Sequence, residues 1–126
     1  EQRFVQEWAQ GDLGLPVCPA LSTDVYQAYL KWCKSRGEIR PRPDNQFFGS
    51  LSRMPGWAKK KARLLADLDV RATTTESRPV VLPPEHLVPK DKVRAEGESE
   101  IVWITGCASD FGAALRDENR ARRAFG

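Results

Sequence analysis

The stretch Asp44-Asn45-Gln46-Phe47-Phe48-Gly49-Ser50-Leu51-Ser52-Arg53-Met54 decides how this chain is read. Ahead of it, Arg40-Pro41-Arg42-Pro43 forms a stiff basic connector, because each proline fixes its own φ, and Asp44 suits a helix N-cap. Phe47, Phe48, Leu51 and Met54 recur at helical spacing and predict an inward face. Gln46, Gly49, Ser50 and Arg53, with Asn45 near the start, then fall on the outer side. That side holds no carboxylate, and its glycine permits close approach. Its polar side chains are of the kind that hydrogen-bond base edges in a DNA groove. Pro55-Gly56 ends the helix.

Working upstream, Ser22 to Arg36 is the clearest helix. Thr23 or Asp24 can cap it, and Gly37 can close it in the left-handed conformation. Val25, Ala28, Tyr29, Trp32 and Cys33 make one apolar stripe flanked by Tyr26 and Leu30, and Gln27, Lys31 and Lys34 take the opposite edge. Phe4, Val5 and Trp8 predict a short opening helix, and Gly11, Gly14 and Pro16 a loop after it.

Downstream, Trp57 is expected to plug the core before the basic run Lys59-Lys60-Lys61-Ala62-Arg63. Leu64 to Arg71 and Arg78 to Leu82 read as two short strands around the polar, threonine-rich Ala72 to Ser77, making a β-hairpin with the basic run at its base. Leu64 to Leu68 could equally continue a helix. Glu85 to Glu100 is polar, charged and proline-containing, as expected of a loop or linker. Glu100 to Thr105 reads as a strand, and Ser109 or Asp110 as the cap of a last helix running through Arg123.

The net charge of +3 conceals an asymmetry. Between Lys31 and Leu64 ten basic side chains stand against Glu38 and Asp44 alone, a local +8 that leaves −5 for the rest of the chain. Such a segment suits a polyanion or an acidic partner. The other classes have less behind them. With 40% hydrophobic and 29% charged residues the composition is that of a folded globular domain. The longest apolar runs, such as Ile101-Val102-Trp103-Ile104, are far too short to span a membrane. Cys18, Cys33 and Cys107 are odd in number and widely spaced, so they suggest neither a disulfide framework nor a zinc knuckle. The expectation is structural thiols in a reducing cytoplasm. With His86 the single histidine, and Asp67 and Asp69 isolated, no catalytic or metal residues and no cofactor are expected. Ile104-Thr105-Gly106-Cys107-Ala108-Ser109-Asp110-Phe111-Gly112 resembles the nucleotide-binding turn of short-chain dehydrogenases, but the βαβ unit that gives such a turn meaning has no room after it. The chain opens on Glu1-Gln2-Arg3-Phe4, with neither a signal-peptide pattern nor an initiator Met, and is expected to be a piece of a longer protein.

Phe4-Val5-Gln6-Glu7-Trp8, then Val25-Tyr26-Gln27-Ala28-Tyr29-Leu30-Lys31-Trp32-Cys33 with Gly37, then Phe47 or Phe48 and Leu51, is similar to the C-terminal domain of phage, plasmid and poxvirus primase-helicases over roughly residues 4 to 65. The resemblance implies a winged helix that binds origin DNA in replication initiation, with the 44–54 helix in the recognition role and the basic segment after Trp57 at the base of the wing. About 60 residues follow the recognition helix and wing base, more than that family usually has.

The expected fold is therefore α+β, a winged helix (helix-turn-helix plus β-hairpin wing) over residues 1–84. A linker or long loop over 85–99 joins it to a strand-and-helix extension, 100–126, that packs on the same domain. The expected function is non-enzymatic binding of double-stranded DNA. Asn45, Gln46, Ser50 and Arg53 would meet base edges, and Arg40, Arg42, Lys59, Lys60, Lys61 and Arg63 would meet phosphates. A homodimer on a symmetric site is compatible with this. The alternative is a protein-interaction or dimerisation module on the same scaffold, with Val102, Trp103 and Phe111 forming its apolar interface.

Overall fold

Phe4 and Trp8, Tyr29, and Phe47 come from three separate stretches of sequence, and burying them together organises the molecule. In the computed structural model, which describes residues 2–37 and 40–125 and side chains up to Asp117, Phe4 packs edge-on against Tyr29, Trp32 and Phe47, while Tyr29 stacks on Phe47 with ring centroids 4.4 Å apart. Those rings come from α1 (Gln2–Ala9), α2 (Ser22–Ser35) and α3 (Asp44–Arg53). Each fully buried aromatic contributes about 1.5–3 kcal/mol relative to leaving it in water.

Among the described residues there are four α-helices and one three-stranded antiparallel sheet, a mixed α+β arrangement. A two-residue strand β1 (Ala20–Leu21) runs straight into α2. After α3 come β2 (Ala58–Leu65) and β3 (Thr75–Leu82), then a segment with 3-10 turns at Glu85–Leu87 and Lys90–Lys92, then α4 (Glu100–Phe125). The sheet order is β1-β3-β2, with Ala20 opposite Val81 and Lys59 also opposite Val81 across the other edge.

The sheet has two covered faces. Val81 joins the large core beneath α1, α2 and α3, whereas Val80 joins Leu21, Leu64, Ile104 and Ala108 on the side of α4. Beyond the sheet, α4 also reaches the large core, where Phe111 meets Trp8 at 5.4 Å.

Several sequence expectations are corrected. Glu100 to Thr105 is the first turn and a half of α4 rather than a strand. Ile104, Thr105, Ala108, Phe111 and Leu115 are buried at a helical period, and the hydroxyl of Ser99 accepts the Val102 N–H, so Ser99 is the cap in place of Ser109 or Asp110. The dehydrogenase-like stretch around Gly106 is therefore inside a helix and makes no turn. The basic run lies within β2, not ahead of the hairpin. The tip spans residues 66–74, where Asp67 and Leu68 take left-handed backbone angles, and Thr75 to Ser77 already belong to β3. The N-cap positions are Leu21 and Pro43, one to three residues before the caps expected from Thr23, Asp24 and Asp44.

Side-chain contacts pin the later segments. Thr105 Oγ accepts the Leu65 N–H at 3.0 Å and donates to the Ile101 carbonyl at 2.7 Å, joining α4 to the end of β2. Trp103 donates to the Lys92 carbonyl at 2.8 Å, and the Lys92 ammonium pairs with Asp110 at 2.7 Å. The loop before α4 is thus held against that helix, and Leu87 packs on the large core.

Candidate nucleic-acid interface

The connector into α3 is shaped by two tyrosines of α2. Tyr26 donates its hydroxyl to the Arg42 carbonyl at 2.8 Å, and the Tyr29 hydroxyl accepts the Arg42 N–H at 3.0 Å. Both main-chain groups of Arg42 are satisfied by residues one helical turn apart, which fixes where the connector crosses α2. Arg40 and Arg42 are left exposed on the rim of an open depression shared with Arg3, Arg36, Trp32 and Gln46. Glu7 anchors the other side of that rim. It pairs with Arg3 at 3.8 Å and with Arg36, and it accepts the Trp32 indole N–H at 3.2 Å.

Along α3 the inward face is as expected, with Phe47, Phe48 and Leu51 buried and Met54 half-buried. The four expected base-edge residues are not equivalent. Gln46 and Arg53 are exposed on the outer side, one on each side of Gly49. Asn45 is exposed too, but its Oδ1 accepts the Gln46 N–H at 2.9 Å, so its acceptor is already engaged at the helix start. Ser50 is half-buried and turns toward α1, beside Gln2, Arg3 and Gln6. Ser52, not among the expected contacts, is exposed one turn beyond Phe48.

The pleat of β2 divides the basic run. Residues paired across an antiparallel ladder share a face, so Lys59, Lys61 and Arg63, opposite Val81, Pro79 and Ser77, lie on the face covered by α3. The Lys59 ammonium sits 4.4 Å from the centre of the Phe48 ring, a cation–π contact that ties β2 to α3. Lys60, opposite Val80, lies on the face of α4 with Ala62 and Leu64. Lys59, Lys60, Lys61 and Arg63 are all exposed, and among the described residues none of them, nor Arg40 or Arg53, is in an ion pair. The outer side of α3 is therefore bordered by cations at its start, from the connector, and along one flank, from the hairpin.

The apolar interface expected at Val102, Trp103 and Phe111 does not form as one surface. Phe111 is fully buried in the large core, Trp103 is half-buried and bonded to Lys92, and only Val102, at 38% exposure, faces out. Among the described residues no cluster of His, Cys, Asp or Glu could hold a metal ion, and no helix is long and apolar enough to cross a membrane. No protein-family model matches the chain, and no curated protein or solved structure matches it.

Proposed function

We propose that this chain is a duplex-DNA-binding domain of the winged-helix type, with α3 as the recognition helix and the β2–β3 hairpin as the wing. The observation that carries the reading is the outer side of α3, bordered by exposed cations from two separate elements. The order α1-β1-α2-α3-β2-β3, with β3 between the other two strands, supports it. In this reading Gln46 and Arg53 read base edges, with Asn45 contributing its amide N–H, while Ser50 stands at the margin toward α1. Arg40 and Arg42 on one side, and Lys59, Lys61 and Arg63 on the other, hold the flanking phosphates. Lys60, across the sheet, takes no part. The resemblance to primase-helicase C-terminal domains adds origin recognition in replication as the proposed setting.

The test is fluorescence anisotropy with random duplex and random single-stranded DNA of equal length at two salt concentrations. Tighter duplex binding that falls steeply with salt is expected, because phosphate contacts release counterions. Absence of binding to either at low salt would overturn the reading.

A further inference from the structure

The three thiols look unrelated in sequence, yet the fold brings two of them together. Cys18, in the loop between α1 and β1, is fully buried, and its thiol donates to the main-chain carbonyl of Cys107 on α4 at 3.5 Å, across a separation of 89 residues. A carbonyl oxygen lies about 2.4 Å from its own Cα, so the Cys18 sulfur is within about 6 Å of the Cys107 Cα. Cys107 is itself buried, with its Sγ 3.8 Å from the Lys92 carbonyl. The third thiol, Cys33, is buried on α2 in the large core.

The two neighbouring thiols have unlike chemistry. Apart from the bond to the carbonyl, a side-chain contact with the Cys18 thiol lowers the pKa of Cys107, against the cost of burial and with help from the Lys92 ammonium. The same contact, and then burial, push Cys18 upward, so it keeps its proton. One thiol is thus suited to attack and the other to wait for a second step.

We propose that Cys18 and Cys107 are a redox-active pair that closes to an intramolecular disulfide. With a small-molecule disulfide as oxidant, the Cys107 thiolate attacks one of its sulfurs, forming a mixed disulfide and expelling one small thiolate. Cys18, losing its proton to the released base, then attacks the Cys107 sulfur and expels the second small thiol. Two protein thiols are oxidised and one external disulfide is reduced to two thiols. Access to Cys107 comes through local opening of the Lys90–Lys92 turn that covers it. The bond would fasten α4 to the α1–β1 loop around the whole of α2, α3 and the sheet.

The experiment treats the full native chain with glutathione disulfide, alkylates the remaining thiols in denaturant, and reads the intact mass and the linked peptides. The expected product has lost two hydrogens, links the Cys18 and Cys107 peptides, and carries a single alkyl group on Cys33. Cys33→Ser should give the same linkage, and Cys18→Ser should stop at a glutathione adduct on Cys107. The proposal is overturned by any of three results: stable mixed adducts alone in the native chain, linkage through Cys33 or between chains, or thiols that react only after denaturation. Because the readout is covalent and made on the unaltered sequence, a poorly folded variant does not blur the outcome.

Discussion

Replacing Lys61 and Arg63 together by glutamine removes two cations from the α3 side of the hairpin without touching a buried residue. If both meet phosphates, each lost contact takes about 0.9 from the slope of log K against log salt, so the double variant should be shallower by about 1.8. Between 50 and 200 mM salt, a fourfold change, the parent chain should then lose about 12-fold more affinity than the variant does. Lys60→Gln is the internal control: it deletes one charge of the same sign, one residue away, on the opposite face of the strand. Its slope should match that of the parent chain. The assay is anisotropy on one random duplex at four salt concentrations, with melting curves to show that the variants are folded. Equal slope changes for Lys60→Gln and for either single variant, Lys61→Gln or Arg63→Gln, would refute the facial argument, because charge alone and not its placement would then set the affinity.

Four further outcomes follow from the packing. Thr105→Val keeps the shape but leaves the Leu65 N–H without its acceptor, which should cost about 1–2 kcal/mol and lower Tm by about 4–10 °C, whereas Thr105→Ser should retain most of the stability; unchanged melting with a protected Leu65 amide in hydrogen exchange would disprove the link. Phe47→Ala, at a fully buried ring, should cost about 3–5 kcal/mol in urea unfolding, a large share of the roughly 5–15 kcal/mol of a typical domain. Gly56→Ala should destabilise more than Gly37→Ala: both take positive φ, but a Cβ on Gly56 would stand 2.8 Å from Pro84 while one on Gly37 meets nothing within 4 Å, and equal losses would remove Pro84 from the account. Asp24 is held above the ordinary carboxylate value of 3.8 chiefly by burial, with Arg116 and Arg78 opposing. The folded state therefore binds that proton more tightly, so the contribution is full below 3.8 and is lost as pH rises through the raised folded value. Relative to Asp24→Asn, the parent chain should gain stability on acidification through that window, and a parent that loses ground there would contradict the assignment.

How much of this was legible in the sequence depended on whether one periodicity stood alone. Helices α2 and α3 were readable because their aromatic residues repeat at helical spacing between clear breakers. The last helix was not, because Ile101-Val102-Trp103-Ile104 is short and rich in β-branched and aromatic residues, which favour strands, and its helical period emerges only when Ala108, Phe111 and Leu115 are counted with it. Ser99, which bonds the Val102 N–H, was the local signal that could have corrected the reading. In β2, three consecutive lysines hide the alternation that Ala58, Ala62 and Leu64 obey, so the apolar pattern alone starts the strand only at Leu64. The candidate base-edge residues were legible as a helix face, but whether Ser50 leans toward α1 or toward the hairpin depends on what packs beside it. The nearness of Cys18 and Cys107 is a property of the folded chain alone.

The sheet that separates the two groups of helices also sets the smallest piece that can stand by itself. A version trimmed after Pro84 would retain every residue of the proposed recognition surface. It would nevertheless uncover the apolar side chains of Leu21, Leu64 and Val80 on one face of a three-stranded sheet, together with the rim of the large core left open by Phe111 and Leu115. Such a fragment is an aggregation hazard rather than a minimal binder. Whoever dissects this protein by truncation would find the last helix inseparable from the proposed recognition surface, because it supports the strand β2 that carries half of that surface's cations.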